Sequence, residues 1–136
     1  SKLPTIMPSA VAYTLQSVTT VEFLMGARVS PQAMDTLLST CTQLRTLDIR
    51  HLRTTCDNIF VSSLDVYTID TIHASGNSTL TDSILMPLLR RCPYLKALHL
   101  NDCTELSFHT LNAVAQHCKH LSNSIAIMWV TLYTTL

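Results

Sequence analysis

Cysteine and histidine are the side chains of this sequence with chemistry to offer beyond packing: five thiols, at Cys41, Cys56, Cys92, Cys103 and Cys118, and six imidazoles. Such groups hold zinc when three or four of them converge, commonly from a C-x-x-C pair. No C-x-x-C pair occurs, and an odd number of thiols cannot close completely into disulfides. Asp48, His73 and His99 recur at near-equal intervals, and Asp48 is the only other candidate ligand in that series. Two imidazoles with a single possible carboxylate beside them make at best a bare minimum set, so no metal is expected. Nucleophilic catalysis is equally unsupported, because there is no G-x-S-x-G and no Cys, His and Asn set apart from the regular positions described below. Two glycines in the whole chain, in neither a Walker nor a G-x-G-x-x-G arrangement, speak against a phosphate cradle. Asn77-Ser78-Thr79 is formally a glycosylation sequon, but Asn77 reads better as a buried turn residue. The expectation is a chain with no catalytic residue and no cofactor.

What the cysteines have in common is their spacing. Leu15, Cys41, Val66, Cys92 and Cys118 follow one another at a near-constant step, the second being one residue shorter than the others. A fixed period of roughly 20 to 30 residues marks a stack of supersecondary units in which each unit buries its apolar face on the next. The clearest copy is Cys92-Pro-Tyr-Leu95-Lys-Ala-Leu98-His-Leu100-Asn-Asp-Cys103. Its Leu95, Leu98, Leu100 and Cys103 correspond to Ile69, Ile72, Ala74 and Asn77, to Leu44, Leu47, Ile49 and Leu52, and to Val18, Val21, Phe23 and Gly26. Apolar residues at i, i+3 and i+5 suit a short strand entered from a tight corner. Asn77 and Cys103 fall in the turn after the strand, where a small polar side chain can satisfy buried backbone groups.

The second half of each unit has helical spacing. Met34, Leu37, Leu38 and Cys41 stand at i, i+3, i+4 and i+7, as do Leu85, Leu88, Leu89 and Cys92, and Leu111, Val114, Ala115 and Cys118. Ser30-Pro31 and Thr81-Asp82 supply start signals, and Pro93 a stop. The fold class that follows is α/β: a solenoid curved into a horseshoe arc, with parallel strands on the concave face and helices on the convex face. Residues 1–14 form a flank, 15–40, 41–65, 66–91 and 92–117 are four units, and 118–136 is a partial or divergent fifth. The second unit is the irregular one: Cys56, Asp57, Ile59, Phe60, Ser63 and Leu64 follow the helical pattern only loosely. Pro87 lies inside the third helix, where an α-helix interior loses about 3 kcal/mol.

Nine basic and nine acidic residues balance, so there is no basic field for nucleic acid. Charged residues make up 13% and the mean hydropathy is +0.27, as a stack buried along its whole length would have. The apolar stretch 125–133 is too short to span a bilayer, and Leu121 fits the template whereas Ser124 and Ala126 do not. With no polar cap at either end, the chain reads as part of a longer protein. Thiols used as small buried apolar groups favour the cytosol or nucleus.

At Cys92–Cys103 the unit resembles the cysteine-containing leucine-rich repeats of F-box/leucine-rich-repeat proteins and of the related antagonist-of-mitotic-exit-network proteins. The resemblance covers residues 15–121. It implies a surface that recruits a protein substrate for a cullin-based ubiquitin ligase, in ubiquitin-dependent degradation. The ligase adaptor would be gripped only through an F-box outside this chain, because Leu3-Pro4 continues as Thr-Ile rather than as an F-box opening. The other implied role is a repeat scaffold or cell-cycle regulator without an F-box.

Strand alternation sends the neighbours of the ladder residues to the concave face. The partner-binding candidates are therefore three columns: Thr20, Thr46, Thr71 and Ala97; Glu22, Asp48, His73 and His99; and Leu24, Arg50, Ser75 and Asn101. The plain alternative is a solvated strand face.

Overall fold

A computed structural model describes residues 16–54, 58–61 and 66–121. The chain is α/β. Four three-residue strands, β1 (Thr20–Glu22), β2 (Thr46–Asp48), β3 (Thr71–His73) and β4 (Ala97–His99), form one parallel sheet in chain order. Three ten-residue helices follow the first, third and fourth strands: α1 (Pro31–Thr40), α2 (Asp82–Arg91) and α3 (Phe108–His117). The flank, Leu15, Cys56, Asp57, Ser63, Leu64 and everything from 122 onward lie outside the described residues.

Register explains why such short strands hold. Val21, Leu47, Ile72 and Leu98 are direct partners across the sheet. Leu47, Ile72 and Leu98 are fully buried, and each such side chain contributes about 1.5–3 kcal/mol over an exposed one. They join one continuous core with Leu44, Ile69 and Leu95, with Ile49, Ala74 and Leu100, and with the helix residues Met34, Leu37, Leu85, Leu88 and Leu89. Cys41, Cys92, Cys103 and Cys118 belong to the same core, none of them in a disulfide. Between β2 and β3 the described residues 58–61 hold a turn rather than a helix, closed from the Val61 amide to the Asn58 carbonyl at 3.3 Å. Ile59 and Phe60, 1% and 0% exposed, fill the interior there.

The first corner departs from the expected alignment. Strand register pairs Thr20 with Thr46, yet Ala27 bridges Leu52, one position short of the same advance. Ala27, Leu52, Asn77 and Cys103 each donate their amide three positions back, to Leu24, Ile49, Ala74 and Leu100. Ala27, not Gly26, therefore stands at the corner, and the first unit carries one extra residue between strand and turn. Three of these corners are entered through a left-handed residue: Gly26 at φ 76°, Gly76 at 79° and Asp102 at 59°. Glycine adopts that conformation freely, and aspartate is one of the few other residues that tolerate it.

Helix starts differ in their chemistry. Ser30 Oγ accepts from the Ala33 amide at 3.1 Å with Pro31 at the first helical position, and Ser107 Oγ accepts from His109. Thr81, expected to cap α2, makes no side-chain cap bond. Asp82 beside it works between units instead: it accepts the Ser107 amide at 2.9 Å and the hydroxyls of Ser107 and Thr110. That bond turns Thr110 inward. The expected stripe of α3 holds at Leu111, Val114 and Cys118, which pack on the core, and fails at Ala115, which is exposed while Thr110 and Ala113 are buried. Pro87 sits within α2, opposite the exposed Ser83 whose carbonyl it leaves without an intrahelical donor.

Candidate functional site: the strand face

The sheet register brings the expected residues together. Thr20, Thr46, Thr71 and Ala97 form one row of direct partners, and Glu22, Asp48, His73 and His99 another. In the first row Thr20 is exposed and the rest half-buried; in the second Glu22 is exposed and both histidines half-buried.

Asp48 is not the exposed contact residue that alternation suggests. It is 6% exposed and clasped by Arg50. Arg50 Nε donates to both carboxylate oxygens at 3.0 and 3.1 Å, Nη2 to Oδ2 at 2.8 Å, and the Arg50 amide to Oδ1 at 3.1 Å. Burial pushes this carboxyl up, but the Arg50 hydrogen bonds and charge, with that of His73, outweigh burial and hold it below its ordinary value. The residue two positions further on thus covers the acid, and Arg50 offers the outward surface of that pair.

His73 and His99 stack face to face, with ring centroids 4.3 Å apart and planes inclined by 7°. Parallel plates cannot aim two ring lone pairs at one ion, so this geometry does not form a shared metal site. Among the described residues no group of three or more His, Cys, Asp or Glu is placed to hold a metal. Burial, then the neighbouring His73 charge, hold the His99 imidazole below its ordinary value. The stack lies at the β3–β4 edge of the described sheet, with both rings half-buried.

The third column is less regular. Ser75 Oγ accepts the Asn101 amide at 3.2 Å, tying two of its members together. Leu24 leaves the column because of the inserted residue, and with Met25 it projects outward, 80% and 82% exposed.

The turns behind the face are held by side chains that satisfy carbonyls. Asn77 Nδ2 donates to Ile49 O at 2.7 Å and Leu52 O at 2.9 Å while Oδ1 accepts the Thr79 amide. Cys103 Sγ donates to Ala74 O at 3.0 Å from the equivalent corner. The sequon asparagine is therefore buried, 3% exposed, with its amide committed.

Two surfaces escaped the sequence reading. At the start of the strands, Arg45 and Asp70 pair at 2.8 Å within a cleft of about 410 Å³ that Tyr67, Tyr94 and Lys96 also line. The near-regular spacing of Arg45, Asp70 and Lys96 was the available signal. At the other end, Arg28, His51 and Arg53 surround the corners, where the extra residue hides their alignment. No helix among the described residues is long and apolar enough to cross a membrane. Neither a family model nor a curated protein matches this chain.

Proposed function

We propose that the chain is a stretch of leucine-rich-repeat solenoid, strands concave and helices convex, whose strand face holds a protein partner. The role we assign it is substrate recruitment for a cullin-based ubiquitin ligase. The single observation that carries the binding reading is the row Glu22, Arg50 (lying over the buried Asp48), His73 and His99, set side by side by register-matched parallel strands. Such a row displays unlike side chains on a rigid base, which is how repeat proteins build binding surfaces. The ligase assignment is supported only by the likeness of Cys92–Cys103 to F-box/leucine-rich-repeat units. No catalytic residue or cofactor enters it, and the adaptor is left to an F-box outside this chain. Buried thiols fit a reducing compartment, the cytosol or nucleus.

Size sets the terms of binding. Four strands ~4.8 Å apart span about 15 Å, too little for the roughly 20–30 residues per side of a standard interface. Further units, or a second chain beside this one, would complete the site.

The test is affinity purification of the parent protein from its own cells, wild type and His73→Ala/His99→Ala. A partner retained by the wild type and lost from the variant supports the face; equal retention rejects it. Co-purification of the ligase adaptor supports recruitment. Partner without adaptor rejects the ligase role and leaves a repeat scaffold.

A further inference from the structure

We propose that the rim at the carboxyl ends of β1 and β2 is a second docking surface, specific for an acidic protein segment that carries an apolar residue among its carboxylates. The inference rests on the partner-binding reading above and adds the chemistry of what is bound.

Three observations converge there. The bridge between Ala27 and Leu52 puts Arg28 and Arg53 in register as neighbours, and the Arg53 amide donates to Ala27 O at 2.8 Å to fix them. Both side chains are exposed, and neither forms an ion pair or side-chain hydrogen bond with a described residue. Two like charges set side by side repel each other and leave an unbalanced field that a carboxylate would relieve. Second, His51 and Arg53 line a cleft of about 240 Å³ with Arg50, Met25 and Ser78. Third, Met25 of that lining and its neighbour Leu24 are among the most exposed large apolar side chains described. Cations and an apolar knob on one rim call for anions and an apolar group on one ligand.

The arrangement fits several carboxylates spaced along a segment better than one phosphoryl group. Arg50 is already spent on Asp48. Asn77 and Thr79 use their polar atoms within the turns. The remaining donors, on Arg28, His51, Arg53 and Ser78, are spread over the corners instead of closing on a point. An extended chain advances about 3.3 Å per residue and neighbouring corners follow the strand spacing of about 4.8 Å, so carboxylates one or two positions apart reach Arg28 and Arg53 together. The same rim turns acidic further along, at Asp102 and Glu105, which fixes where the acidic segment ends.

The experiment is fluorescence anisotropy of the full 136-residue chain with a labelled peptide of alternating glutamates around a central leucine. Three controls are the glutamine version, the serine-for-leucine version, and a phosphoserine peptide of equal charge. The glutamate peptide should bind and weaken with added salt. Arg28→Glu/Arg53→Glu should reduce affinity at least tenfold, Leu24→Ser/Met25→Ser several-fold, and Gln116→Ala, exposed on α3, not at all, with each variant's circular dichroism unchanged. Equal binding by the arginine variant, no binding by the wild type, or preference for the phosphoserine peptide or for an RNA homopolymer overturns the proposal. Those outcomes leave the strand face standing, because its test is partner capture through His73 and His99.

Discussion

Asn77 shows most directly what one side chain does for this chain. Its amide nitrogen serves two buried carbonyls of the preceding unit, Ile49 O and Leu52 O, and an acceptor left buried without a donor costs about 1–3 kcal/mol. Asn77→Ala should destabilise the protein by about 3 kcal/mol in chemical denaturation. Asn77→Cys should be milder, because Cys103 makes the corresponding bond to Ala74 O with a thiol. This role was legible: a polar residue recurring at the corner of an apolar template has few other uses. The burial of Asp48 was not, since strand alternation gives only the side of the sheet and takes no account of Arg50 folding back over the acid. The histidine pair adds a pH dependence. With His99 held below its ordinary 6.5, the unfolded chain binds more protons as pH drops, so this stability is complete above that value and lost as pH falls through the lower folded one. The denaturation midpoint should therefore decline from about pH 7 to about pH 5 in the wild type, and less in His99→Phe. Asp48, Asp70 and Asp82 act in a separate window, below 3.8: burial raises each, but hydrogen bonds outweigh it.

At the level of elements, spacing alone placed α1 and α2, because Met34, Leu37 and Leu38, and Leu85, Leu88 and Leu89, are buried at the expected intervals. On α3 it placed Leu111, Val114 and Cys118 against the core but put the exposed Ala115 in the stripe and missed Thr110, which Asp82 recruits across the units. A hydrogen bond between units leaves no mark in the periodicity of either. The one-residue insertion between Glu22 and Ala27 was invisible for a related reason, since counting from strand to strand conceals where within a unit the count changes. Pro87 reports on how much distortion an outer helix tolerates. It removes one backbone bond and crowds the carbonyl of Ser83, an exposed residue. Pro87→Ala should raise stability by about 1–3 kcal/mol, read as a higher thermal midpoint with no change in the circular dichroism spectrum.

Over the whole molecule, the four described thiols share one apolar interior with the strands and helices. Burial pushes Cys41 and Cys103 up and Cys118 to about 11, so little thiolate exists at neutral pH. Alkylation by iodoacetamide should leave Cys41, Cys92, Cys103 and Cys118 unmodified in native buffer. All four should react together across the denaturation transition; modification of one alone would mean the units open independently. The parallel α/β order was legible because period, apolar ladder and helix stripe agreed, whereas the cationic rim was not, because it depends on which corners become neighbours. Adjacent strands are joined by backbone bonds between residues one unit apart in the chain, with β1 and β4 at opposite edges, so mechanical tension between the two ends of the sheet peels its strands away one at a time. Each rupture would release about 25 residues, roughly 85 Å of slack, and an optical-trap trace should climb in evenly sized teeth.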